Sequence, residues 1–327
     1  MKIRASTLNF PNFLTSSNVV DENELTSTTA PISNLVTWSD INASNDIFKL
    51  MTSVMTPFSP WFLADYYMGD EFEERLGKDL FERLLNHTGI NATADCSKLP
   101  DLSSLFVSVD FFERFRLDCL PVLSNRIVLI TGRWHLPALT NRTEVLKILD
   151  NPNIFHWFAQ NPILTHDKYT SIPYGVMHDN LPSFVAAVKA SLYSTKKEKN
   201  TLLLNLHLSL THPSRSALID PSGLRVSPKD YYDQISDAKY VVSPIGDRPD
   251  CYRHWESIGV GAVPVCNCPT EFRQLFGPSM LFRNTTQIAE LLLDPSPLEK
   301  VGKHLYANRD LLLLDAWRRR INRLKGQ

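Results

Sequence analysis

The chain has 327 residues, 43 % of them apolar and 21 % charged, with 34 basic and 35 acidic side chains for a formal net charge of −1. That balance excludes a global field drawing the protein onto nucleic acid or anionic lipid, so any anion it binds must be held by a local site. Single cores stop growing near ~250 to 300 residues, so two domains are expected, and the apolar content is enough to fill them.

Residues 1 to 45 are rich in Ser, Thr and Asn with weak periodicity and read as a loosely ordered arm. Met1 to Val20 holds no apolar run of signal-peptide length, and nowhere do ~18 apolar residues follow one another as a spanning helix requires. The expectation is a soluble chain without a transmembrane segment, cytoplasmic, or of Golgi type if an anchor is missing from it. Phe72, Leu76, Leu80, Phe81, Leu84 and Leu85 recur at helical spacing and predict an amphipathic helix over Glu71 to Asn86.

Short apolar runs bounded by turn formers follow at Leu105 to Val109, Arg126 to Thr131 and Asn153 to Phe158, with a helical stretch at Glu144 to Leu149. A second alternation predicts strands at Thr201 to Leu208, Lys239 to Ser243, Ala262 to Cys266 and Met280 to Phe282, and helices at Pro228 to Ser236 and Pro249 to Val260. Strands alternating with helices imply mainly parallel sheets, in two successive α/β units meeting near Asn161 to Tyr174. The tail from Ser296 to Leu324 carries Leu298, Val301, Leu305, Leu313, Trp317, Ile321 and Leu324 at helical spacing, which predicts one or two long helices.

Cys96, Cys119, Cys251, Cys266 and Cys268 are an odd number, and Cys266-x-Cys268 suits neither a mutual disulfide nor a usual zinc pair. A reducing compartment fits best, with one bridge between distant cysteines left open. No Asp-x-Asp pair and no His/Cys cluster at ligand spacing is visible, so neither a metal nor a cofactor is expected.

The chemistry concentrates in Asp230 to Cys266. Tyr240 to Val242 runs as a strand into Ser243-Pro244-Ile245-Gly246, and a helix follows from Pro249, a favoured first-turn residue. The space beyond a strand's carboxyl end, facing a helix N-terminus, is the usual ligand crevice of an open α/β sheet and suits phosphate. Arg248 and Arg253 would add charge for a diphosphate. Glu256, three residues after Arg253, emerges on the same side and could accept hydrogen bonds from a ribose, although an i,i+3 surface ion pair is the plainer reading.

Ser243-Pro244-x-Gly246, Arg253-x-x-Glu256 and Gly261-x-x-Pro264-Val265 resemble the donor-site signature of exostosin-like glycosyltransferases, which reads approximately S-P-x-G, R-x-x-E and G-x-x-P-V. The spacing is also similar to that of some fucosyltransferases. Upstream, Trp157-x-x-Gln160-Asn161 and Ile172-Pro173-x-Gly175 resemble the linker of that group, so the likeness covers about residues 126 to 285. It implies two Rossmann-like domains facing a cleft, the GT-B fold. Residues 1-45 would be the arm, 46-165 the acceptor-side domain, 166-295 the nucleotide-sugar domain and 296-327 a helical segment. It further implies that Ser243, Gly246, Arg253 and Glu256 line the donor site, with Gly261 and Pro264 shaping the backbone near the ligand.

Among Asn205, His207, His212 and Arg215, which follow the Thr201 strand, Arg215 is the choice for a further phosphate ligand. Related sequences carry a carboxylate in the loop after the strand matching Arg126 to Thr131, whereas this chain reads Gly132-Arg133-Trp134-His135. A base, if the reaction needs one, would be His135 or Asp110. Trp134, Trp157 and Trp255 could stack on sugar rings, although large aromatics more often pack in the core. The expected function is transfer of a sugar from a nucleoside diphosphate donor to a glycan or other hydroxyl. The alternative is a domain of that fold that binds nucleotide or glycan without catalysis.

Overall fold

The structure, a computed structural model, describes residues 37–41, 45–68, 83, 91–92, 95–132, 137–195, 198–206, 213–219, 226–301 and 304–327. The arm lies outside these residues except for 37–41 and 45, and the helix expected over 71 to 86 lies outside them except for Arg83, which is helical.

Two parallel sheets organise the described chain. The first takes β1 (Tyr66–Met68), β2 (Asn91–Ala92), β3 (Ser103–Ser108), β4 (Ile127–Gly132), β5 (Ile154–Ala159) and β6 (Tyr169–Ser171) in the order β2-β1-β3-β4-β5-β6. The second takes β7 (Thr201–Leu204), β8 (Ala238–Val242), β9 (Val263–Cys266) and β10 (Leu281–Phe282) in the order β10-β9-β8-β7. The helices between them are α1 (Ile47–Met51), α2 (Arg142–Leu149), α3 (Leu181–Tyr193), α4 (Pro228–Asp237), α5 (Tyr252–Gly259), α6 (Thr285–Leu293) and α7 (Leu314–Lys325), with single helical turns elsewhere. The α/β class expected from the alternation is what the structure shows.

Both central strands of the first sheet are buried along their whole length, which is why β4 reads Ile-Val-Leu-Ile without polar alternation. The period of two still sorts the faces: Leu105, Val107, Ile127 and Leu129 pack on one side, Phe106, Val128 and Ile130 on the other. The second sheet does the same, sending Tyr240, Val242, Val263 and Val265 outward to their own cluster and Val241 and Cys266 inward. The inward faces of both sheets meet in one apolar layer, filled by Phe184 and Val188 of α3, Trp255 and Ile258 of α5 and Trp317 of α7. One shared layer makes residues Val36–Gln327 a single compact unit. Trp157 and Trp255 are fully buried in these cores, and Trp134 lies outside the described residues.

The tail departs from expectation. It forms helical turns at Ser296–Lys300 and Arg309–Leu312 and one helix, α7. Leu298, Val301 and Leu305 pack under the second sheet while Leu313, Trp317 and Ile321 enter the shared layer, two destinations that one straight helix could not reach. Leu314 N donates to Ser53 O at 2.9 Å, Met55 N to Leu312 O at 2.8 Å, and Lys325 Nζ to Asp65 Oδ2 at 3.0 Å. The chain end is thereby laced back onto the segment that precedes β1.

Cys96 and Cys119 form a disulfide with Cα atoms 5.3 Å apart, the one bridge between distant cysteines that the sequence left open. Both are buried in the outer cluster of the first sheet, the turn before β3 meeting the helical turns after it. Cys251, Cys266 and Cys268 are free and buried.

Candidate ligand pocket at the carboxyl end of the second sheet

β8 carries the chain out of the sheet at Val242, and Ser243 N extends the ladder by donating to Val265 O at 2.9 Å. The turn that follows is closed by Gly246 N to Arg248 O at 3.0 Å. The helix begins at Tyr252, later than the expected Pro249, because Asp250 turns its side chain inward and Cys251 stays extended at φ −122° and ψ 156° as the N-cap. Asp250 is fully buried and accepts from Tyr174 N at 2.7 Å and from Trp255 Nε1. Burial raises its carboxyl to about 6, the hydrogen bonds opposing only part of the shift.

Asp250 joins the two motif segments that the sequence separates by 76 positions. Gln160 Nε2 donates to Pro173 O at 3.0 Å and Ile172 N to Ala159 O at 2.9 Å, so the Trp-x-x-Gln-Asn element holds the Ile-Pro-Tyr-Gly element. Gly175 turns the chain at φ +78°, where an added Cβ would lie 2.1 Å from Met55 O. Tyr174, thus positioned, brings its ring 4.0 Å from the Arg248 guanidinium, and the Tyr252 ring lies 4.5 Å from it, the two ring centroids 5.3 Å apart, so both rings meet the guanidinium from adjacent sides. Arg248 is 9 % exposed, and its Nε is buried with no hydrogen-bond partner among the described residues.

Arg248 lines a cavity of about 460 Å³ together with Arg215, Ser243, Arg253 and Glu256, five of the residues singled out from the sequence. Glu256 is buried, with Tyr231 Oη donating to Oε2 at 2.8 Å and Tyr232 Oη to Oε1 at 3.4 Å, so it is no surface ion pair. Burial pushes its carboxyl up, and the Tyr231 hydroxyl and the Arg253 charge offset part of that. Arg253 is partly buried, its Nη2 donating to Leu206 O at 3.4 Å and its guanidinium 6.0 Å from the Tyr231 ring. Arg215 braces the loop from behind: Nε donates to Ile245 O at 2.7 Å and Nη2 to Pro244 O at 3.2 Å. Gly246 is where that bracing needs space, since an added Cβ would lie 2.5 Å from Arg215 Nη2.

Other expectations resolve differently. Asp110 sits exposed in the turn after β3 and does not line this cavity. His135, His207 and His212 lie outside the described residues. Asn205 Nδ2 donates to Leu218 O at 2.9 Å. Gly261, expected to approach the ligand, lies at the far end of β9, where it adopts φ +84° against the Arg309 guanidinium. Pro264 sits inside the sheet, and β10 pairs with β9 only from Val265 onward, past the residue that lacks an N–H. A larger cavity, about 600 Å³, opens beside Asp65 and Ser103 at the amino ends of β1 and β3. There Asp65 is already paired with Lys325 and Asp101 with Arg126, so the carboxyl-end cavity is the better ligand site.

Behind the pocket stands a group that the sequence reading missed. His254, Cys266 and Cys268 are buried and bring one ligand atom each within 4.8 Å of one another, a grouping that their spacing in the sequence does not reveal. Ser243 Oγ lies 2.6 Å from His254 Nδ1. The residues are 12 and 14 positions apart in sequence, and only the return of the chain through α5 and β9 brings them together. Burial acts to raise the Cys266 thiol, but the Cys268 hydrogen bond and the His254 charge outweigh it and bring the thiol to about 6.

Fold and pocket define an α/β protein with a basic, tyrosine-lined crevice at the carboxyl end of a parallel sheet. The chain matches no model of a known protein family, and no curated protein matches it.

Proposed function

We propose that the protein is a glycosyltransferase of the GT-B type, using a nucleoside diphosphate sugar as donor substrate and a glycan or other hydroxyl as acceptor. The observation that carries this reading is Arg248, packed against the Tyr174 and Tyr252 rings with a buried Nε that has no hydrogen-bond partner among the described residues, in the same cavity as Arg253 and Glu256. Asp247 Oδ2 stands 3.9 Å from Arg248 Nη1, beyond hydrogen-bond reach, so this buried planar guanidinium keeps donors for a diphosphate, and a second guanidinium in the same cavity suits one. About 460 Å³ is ample for a nucleotide. A carboxylate offers about four acceptor positions, so Glu256 keeps two for ribose hydroxyls beyond those used by Tyr231 and Tyr232. The resemblance of Ser243-Pro244-x-Gly246 and Arg253-x-x-Glu256 to exostosin-like enzymes supports the same reading.

In this account Arg248 and Arg253 stabilise the charge that develops on the departing diphosphate. Donor hydrolysis and transfer are measured over uridine, guanosine and cytidine diphosphate sugars with wild type, Arg253→Ala and Glu256→Ala. A loss of tenfold or more in both variants is expected, and unchanged rates would refute the site. Nucleotide binding without turnover of any donor would favour the non-catalytic binding domain instead.

A further inference from the structure

His254 Nε2 lies 3.4 Å from both Cys266 Sγ and Cys268 Sγ and 3.1 Å from Pro249 O, while Cys251 Sγ stands beside the ring, 3.5 Å from Nε2 and 3.6 Å from Nδ1. All four residues are buried, with 9, 0, 0 and 9 % exposure for Cys251, His254, Cys266 and Cys268. We propose that these four side chains form a structural site for a thiophilic divalent cation, zinc by its chemistry, tying the pocket loop to the end of β9.

Tetrahedral zinc bonds run to roughly 2.3 Å for sulfur and 2.0 to 2.1 Å for nitrogen, which puts a nitrogen and a sulfur on one ion roughly 3.5 to 3.6 Å apart. The Nε2 to Sγ distances of Cys266 and Cys268 fall within about 0.2 Å of that figure. Three thiolates and one imidazole in a tetrahedral set select zinc over harder cations. The opposite ring nitrogen is held by Ser243 Oγ at 2.6 Å, as the outer partner of a metal-bound histidine usually is. Three contacts must change on binding: Nε2 gives up Pro249 O, Cys251 Sγ rotates from beside the ring to face Nε2, and Cys266 and Cys268 Sγ, 2.7 Å apart, separate to the roughly 3.8 Å of two sulfurs on one zinc. Side-chain rotation at Cys268, at the free end of the loop after β9, accommodates the difference. Because the site is closed, the ion enters as the chain folds. Its role is separate from the donor chemistry, since Cys251 alone of the four lines the ligand cavity.

The test is elemental analysis of the full chain purified without chelator. One zinc per chain is expected, lost in Cys266→Ser, Cys268→Ser and His254→Gln and kept in Cys119→Ser. Protein produced with cobalt in place of zinc should show thiolate-to-cobalt charge-transfer absorption, a readout that does not depend on folding of the variants. Ser243→Ala should bind zinc about 10- to 100-fold more weakly in competition with a chromophoric chelator. Zinc below a tenth of an equivalent after growth with added zinc would overturn the proposal. So would a denatured thiol count of one rather than three for Cys251, Cys266 and Cys268, which would mean that Cys266 and Cys268 close a disulfide instead.

Discussion

Replacing Asp250 by Ala removes the acceptor shared by Tyr174 N and Trp255 Nε1, two donors in surroundings where Asp250 and Trp255 are fully buried. Each orphaned buried donor costs about 1 to 3 kcal/mol, so the expected destabilisation is about 2 to 6 kcal/mol. For a unit of this size that lowers the melting temperature by roughly 5 to 20 °C. Asp250→Asn keeps one acceptor and should fall between wild type and Asp250→Ala. The pH dependence carries its own sign. The native carboxyl is raised to about 6 from 3.8, so its contribution is fully present below 3.8 and is lost as pH rises through 6. The deficit of Asp250→Asn should therefore be larger at pH 5 than at pH 8, by about 1 kcal/mol. Urea unfolding followed by tryptophan fluorescence at both pH values measures this. An Asp250→Ala midpoint within a degree of wild type, or a deficit that grows with pH, would refute the argument.

His156 is buried against Thr170, and burial lowers it to about 4 from 6.5; its contribution is present above 6.5 and lost as pH falls toward 4. Acidification to pH 5 should cost wild type about 2 kcal/mol that His156→Gln does not lose, as read from unfolding curves. Gly175→Ala forces a side chain into φ +78° and onto the Met55 carbonyl, and a loss of about 2 to 5 kcal/mol is expected by thermal melting. Cys96→Ser opens a loop of 23 residues and should cost about 3 kcal/mol relative to the oxidised wild type, an effect abolished when both are compared under reductant.

The strands of the two sheets were legible because parallel strands buried on both faces leave unbroken Val, Ile and Leu runs, as at Ile127–Gly132 and Ala238–Val242. β1 and β6 were not, since Tyr66–Met68 and Tyr169–Ser171 are three residues long and carry tyrosine, threonine and serine rather than an apolar run. α3 escaped because its apolar residues spread around the helix, which packs against α4 and α5 as well as the shared layer. α6 did carry a readable signal, the capping box of Asn284 and Gln287. At the pocket, the order Ser-Pro-x-Gly, Arg-x-x-Glu pointed to Ser243, Pro244, Arg253 and Glu256, which share one cavity, and to Gly246, which does not line it. What the order could not convey is which side chains face a ligand and which brace the loop. Arg215 and Ser243 are engaged by Ile245 O and His254, while Arg248 is held by aromatic rings from two separate segments. The Cys/His group stayed hidden for the same reason, being local in space and dispersed along the chain.

Binding of a diphosphate at Arg248 is tested most directly by titration calorimetry of uridine and guanosine diphosphates against wild type, Arg248→Ala and Arg248→Lys. Wild type should bind at least one of them, Arg248→Ala should lose at least tenfold in affinity, and Arg248→Lys should recover little, because a lysine cannot reproduce a planar guanidinium packed on the Tyr174 and Tyr252 rings. Equal affinity in all three proteins would contradict it.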